Sequence, residues 1–135
     1  MPATPQQVAT GLETRLATIS GLRVYDHIPD SYGIPCSFVM PDTIEYWNGF
    51  AGGNVQQEFT VTVVVGRTSD RAAQKSLYGY TAYSGSSSVR AAIEGDRALG
   101  GVAQTCIVNS AGNIRMLQQA DATYLAIDFN ITVHA

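Results

Sequence analysis

"TYLAIDFNITVHA", residues 123 to 135, decides the fold. Thr123, Leu125, Ile127, Phe129, Ile131 and Val133 alternate with Tyr124, Ala126, Asp128, Asn130, Thr132 and His134. Successive side chains of a strand point to opposite faces, so this run gives one face to a core and the other to water. A strand covered on both faces would read as a continuous apolar run instead, and the alternation therefore favours an antiparallel sheet with one covered face.

Working back along the chain, "QQEFTVTVVVG" at 56–66 has the same period, with Phe59, Val61, Val63 and Val65 on one face and Thr60, Thr62 and Val64 on the other. "TIEYW" at 43–47 precedes it, and the glycine-rich stretch between them predicts a long β-hairpin around residues 43–65. Earlier still, "LRVYDHI" (22–28) and "CSFVM" (36–40) are β-rich runs separated by the turn residues of "PDSYGIP". At the start, Thr4-Pro5-Gln6-Gln7 fits a capping box with proline in the first helical turn, Val8, Leu12, Leu16 and Ile19 form an apolar stripe, and Gly21 is the expected stop.

After Gly66 the period becomes helical. Ser69 or Asp70 is the expected cap, Ala73, Leu77, Tyr80 and Ser84 share one side, and "SGSSS" at 84–88 breaks the helix. A shorter helix with Val89, Ala92 and Ile93 follows, ended by "EGDRALGG". "VAQTCIVNS" at 102–110 then reads as a strand, with a turn around Gly112. Helix, strands, two helices and strands without regular strand-helix-strand alternation predict an α+β fold: a largely antiparallel or mixed sheet with helices packed on it, as a single domain over residues 1–135.

The composition, 45% hydrophobic and 14% charged, is that of a globular chain rather than a disordered one. "MPATPQQVATG" has neither the basic start nor the apolar core of a signal peptide, and no apolar run reaches the ~20 residues of a membrane helix. A cytoplasm, or a particle assembled there, is the expected location. Cys36 and Cys106 stand far apart without a CxxC spacing and read as buried reduced thiols. The net charge is −3, with Arg15, Arg23, Arg67, Arg71, Lys75, Arg90, Arg97 and Arg115 scattered along the chain, which argues against a phosphate-binding face.

No catalytic, cofactor-binding or metal-ligating set is expected. His134 lies on the wet side of its strand, and His27 in "YDHIPD" has Asp26 and Asp30 beside it without a nucleophile or third ligand spaced to meet them. "AYSGSSS" lacks the first glycine of a nucleophile elbow, so its serines read as loop residues and caps. "NGFAGGN" has neither the lysine nor the spacing of a phosphate loop and leads into a strand. The acids show no calcium-loop pattern, although carboxylates distant in sequence can meet in a fold.

Against that background, "GLRVYDHIPDSYGIPCSFVMPDTIEY", "TVTVVVGRTSDRAAQKSLYGY", "SGSSSVRAAIEGDRALGG", "VAQTCIVNS" and "ATYLAIDFNITVHA" together resemble the tail terminator (tail completion) family of long-tailed, non-contractile bacteriophages. "VGRTSDRAAQ" and "SSSVRAAIEGD" are the most specific parts, the likeness runs over residues 8–134, and "IRMLQQAD" at 114–121 departs from the pattern. The resemblance implies a virion protein, assembled in the host cytoplasm, whose copies form a ring, usually a hexamer. Such a ring caps the tail tube protein, ends its polymerisation and joins a head-tail connector or neck protein, while DNA passes through without tight binding. Other readings are a different head-tail joining protein, or a small-ligand domain or enzyme built around Asp26, His27 and Asp30.

The hairpin tip, "YWNGFAGGN", carries Tyr46, Trp47, Asn48, Gly49, Phe50, Gly52, Gly53 and Asn54. Aromatics on a tip bury large area against a neighbour, or Trp47 folds back on its own core. The reading adopted is an assembly interface.

Overall fold

A computed structural model describes residues 4–25, 33–48, 54–69, 71–119 and 122–134. The elements run α1 (Pro5–Leu16), β1 (Arg23–Tyr25), β2 (Cys36–Asn48), β3 (Asn54–Arg67), α2 (Arg71–Thr81), α3 (Val89–Glu94), a short 3-10 turn at Leu99–Gly101, β4 (Thr105–Gln119) and β5 (Ala122–His134). The strands form a five-stranded sheet in the order β1-β2-β3-β5-β4. The β1–β2 pair is parallel and the other pairs are antiparallel, which makes this the α+β fold with a mixed sheet that the periodicities predict.

Thr4 starts α1 as expected: its hydroxyl accepts from the Gln7 amide at 3.2 Å and the Gln7 side chain accepts from the Thr4 amide at 2.9 Å. Val8, Leu12 and Leu16 are buried along one stripe. The helix ends at Leu16 rather than running to Gly21, because Thr18 and Ile19 turn their amides back to Arg15 and Leu16. Ile19 still reaches the core, from the turn, and Gly21 adopts the left-handed conformation with φ of 83°.

The three helices cover one face of the sheet. There Phe59, Val61, Val63, Ile127, Phe129, Ile131 and Val133 meet Val8, Leu12, Leu16, Leu77, Val89 and Ile93 in one cluster. Removing a side chain of that size from water contributes about 2 kcal/mol, so this layer is the main source of stability. Arg15 joins α1 to α3 by donating Nε to the Ala92 carbonyl at 2.9 Å. Glu94 joins α3 to β4, accepting from the Val108 amide at 3.1 Å while paired with Arg90 and Arg97.

Three further expectations are corrected. "CSFVM" and "TIEYW" are not separate strands: β2 is continuous, with a register irregularity between Pro41 and Thr43. Gly112 is not a turn: β4 continues through it and absorbs one extra residue in a bulge between Gly112 and Arg115, with Asn113 at φ of 53°. The far face of β5 is wet only in part, since Tyr124 and Ala126 are buried in a second small cluster with Cys36, Phe38 and Val64.

Candidate assembly interface

Among the described residues, β3 pairs with β5 as far as Gln56 with His134, and β2 and β3 stay paired beyond it, out to Asn48 and Asn54. Tyr46 stands on this segment with 76% of its surface exposed. Trp47, Asn48 and Asn54 are placed there by their backbone, and Gly49, Phe50, Gly52 and Gly53 lie outside the described residues. Neither core cluster includes Tyr46, so this aromatic takes no part in holding the domain together.

At the other end of the sheet a cleft of about 550 Å³ opens between α2 and the second half of β4. Its apolar lining comes from Leu77, Tyr78, Ile114, Met116 and Leu125, and its polar rim from Thr68, Ser69, Arg71, Gln74 and Arg115. Tyr78, Ile114 and Met116 are exposed at 64%, 58% and 70%. Large apolar side chains grouped beside a cleft, rather than scattered, are a mark of surfaces that meet a partner.

The bulge builds that cleft. Asn113 adds an extra residue to β4, which aims Ile114 and Met116 toward the α2 side of the strand. Asp128 on β5 fixes the bulge: its Oδ2 accepts from Asn113 Nδ2 at 2.8 Å and faces Arg115 Nη1 at 2.8 Å, and its Oδ1 accepts from the Thr62 hydroxyl at 2.8 Å. Partial burial disfavours the charge on Asp128, but Arg115, Asn113 and Thr62 outweigh it and hold the carboxyl below its ordinary range. Asn109 donates to the Thr132 hydroxyl farther along the same face.

No family model matches this chain, and no curated protein matches it.

Four of the residues screened for chemistry lie among the described ones. Ser88 caps α3, accepting from the Ala91 amide at 3.1 Å and donating to the Ala82 carbonyl at 2.6 Å. Cys36 and Cys106 are buried in different clusters, and burial pushes each thiol up to about 11. His134 sits at the end of β5, paired across to Gln56 and Thr105. Asp26, His27 and Asp30 lie outside the described residues, as does the proposed helix cap Asp70. Among the described residues no His, Cys, Asp and Glu group is placed to hold a metal, and no helix is long and apolar enough to cross a membrane.

Sequence reasoning singled out the hairpin and missed the cleft. Ile114 and Met116 fall in "IRMLQQAD", the segment that departs from the family resemblance, and their apposition to Tyr78 is a tertiary event. The available signal was Gly112-Asn113 inside an otherwise β-rich run, which is as much a bulge signature as a turn.

Proposed function

We propose that this protein is a tail terminator of a long-tailed, non-contractile bacteriophage: a ring-forming virion subunit that caps the tail tube, ends its polymerisation and joins the tail to the head. The carrying observation is a sheet covered by helices on one face, with Tyr46 exposed on the β2–β3 hairpin at one end and an exposed apolar cleft at the opposite end. A chain with separate apolar surfaces at its two ends is suited to contact neighbours on each side. The sequence resemblance over residues 8–134 supplies the identity of the assembly.

The acidic net charge agrees with a ring that lets DNA pass without holding it, because tight phosphate binding needs several cations acting on one tract. Electron microscopy of the purified protein, alone and mixed with tail tubes, tests the reading. Rings that seat on tube ends support it. Tubes that stay bare and continue to grow in its presence overturn it, and binding to a head connector with no affinity for tubes would favour a neck protein instead.

A further inference from the structure

We propose that neighbouring copies join head to tail, the paired β2–β3 segment around Glu45 and Tyr46 of one subunit packing against the α2–β4 cleft of the next. The inference deepens the ring reading and rests on it for the claim that copies associate at all. What the structure adds is which two surfaces meet.

Charge is the first reason. Residues 36–66 hold Asp42, Glu45 and Glu58 and no lysine or arginine. The opposite end carries Arg67 at the end of β3 and Arg71 and Lys75 on α2 against the one acid Asp70 in the intervening sequence, while the Arg115 guanidinium is paired with Asp128 on the open face of the sheet. Among the described residues, Arg67, Arg71, Lys75, Asp42, Glu45 and Glu58 have no ion-pair partner within the chain. One subunit is thus acidic at the hairpin and basic at the cleft, a distribution that repels like ends and attracts unlike ones.

Shape and chemistry agree with this. Tyr46 and the cleft's Tyr78, Ile114 and Met116 are exposed apolar surfaces in search of cover. A cleft of about 550 Å³ is within the range that encloses a ligand of several rings. Between the last hairpin-side pair at Gln56 and the cleft-side pair at Arg67, β3 advances about 35 Å at its usual rise, so the hairpin cannot reach its own cleft. The contact is therefore between copies and uses different patches on each, which closes into a ring or continues as a filament. Apolar cover supplies the affinity, and the charges select the orientation, since exposed ion pairs contribute little by themselves.

A charge-swap series on the full chain tests it, read by native mass spectrometry and sedimentation at low and high salt. Glu45→Arg alone and Arg71→Glu alone should each weaken self-association at least tenfold with unchanged unfolding midpoints. The double variant, and an equimolar mixture of the two single variants, should recover association to within a few-fold of the parent. Should Arg71→Glu fail to fold, the pair Glu45→Lys with Lys75→Glu reads the same contact. Rings in the parent that ignore every swap would overturn the contact and leave the ring reading standing. A parent that stays monomeric at all concentrations and on tail tubes would remove both, and loss of duplex-DNA retention as the only effect of Arg71→Glu would assign the basic end to nucleic acid.

Discussion

Arg115 Nη1 lies 2.8 Å from Asp128 Oδ2, and that one carboxylate also holds Asn113 of the same bulge and Thr62 of the strand on its other side. The acid thus links β3, β5 and β4 across the open face of the sheet. It also sets the local path of β4, because Asn113 occupies a left-handed conformation that its side-chain hydrogen bond to Asp128 favours.

Replacing Asp128 by alanine should lower the unfolding free energy by about 2 kcal/mol, because it leaves donors from Thr62, Asn113 and Arg115 without their acceptor. Asparagine should cost less, since its carbonyl still accepts one of those bonds. Urea unfolding of the two variants measures the order. An alanine variant as stable as the parent would show that the bulge is held by the strand ladder alone.

Acid should destabilise the fold through the same chemistry. Burial opposes the charge on Glu94, yet Arg97, the Val108 amide and Arg90 together hold it below its ordinary value of 4.5, as Asp128 is held below 3.8. A depressed folded-state pKa means that the unfolded chain binds more protons as pH falls, so the stabilisation is complete above the ordinary values and is lost on descending through the folded ones. The urea midpoint should be flat in this respect over roughly pH 6 to 8 and fall below about pH 4.5. Glu94→Gln should reduce the slope, and an unchanged slope would remove Glu94 from the account.

Glycine in mid-helix normally invites replacement by alanine, which favours α1 by up to about 1 kcal/mol. At Gly11 the expectation reverses. A β-carbon there would sit 2.9 Å from the Leu99 Cβ and 3.3 Å from its carbonyl oxygen, and Leu99 holds a positive φ of 51° in the turn after α3. Neither atom is the free end of a flexible side chain, so α1 and the turn must separate, at a cost of about 1 to 3 kcal/mol. Gly11→Ala should therefore be less stable than the parent by thermal unfolding. A more stable variant would mean that the turn yields easily.

The parts of this fold legible in the sequence are those where one periodicity runs uninterrupted. Val8, Leu12 and Leu16 gave α1, Phe59 to Val65 gave β3, and Leu125 to Val133 gave β5, because each repeat reports directly which face is buried. Bulges defeated the same method. The extra residues near Asp42 and Asn113 shift the phase of alternation, so one long strand looks like two short ones or like a strand and a turn. The hairpin was readable because two β-rich runs flank a contiguous glycine-rich stretch. The cleft was not, since Tyr78 comes from a helix and Met116 from a strand far along the chain.

Thiol chemistry offers a direct measure of opening. Cys36 and Cys106 are fully covered, and burial raises both thiols to about 11, so at neutral pH neither offers an accessible thiolate. An aromatic disulfide reagent should label them only as fast as the protein unfolds, with the rate rising in step with denaturant. Rapid labelling of the native protein would show that one of the two clusters opens locally.

The proposed assembly role of the hairpin is tested by a change at its tip that leaves the strand ladder in place. Asn48 already pairs with Asn54, so residues 49–53 can be replaced by a two-residue Asn-Gly turn without disturbing the ladder below. Shortening a closed loop by that much changes its closure entropy by less than about 1 kcal/mol, and Tyr46 belongs to neither core cluster. The unfolding midpoint should stay nearly unchanged. Association should fall more steeply, because the change removes Phe50 from the tip, and covering an aromatic of that size contributes on the order of 2 kcal/mol at each contact. In a closed ring the loss recurs at every interface, so cells producing phage with this variant should accumulate over-long tails or tails without heads while the variant protein stays soluble. Particles with tails of normal length would withdraw residues 49–53 from assembly. A variant that fails to fold would show instead that the tip packs on its own domain.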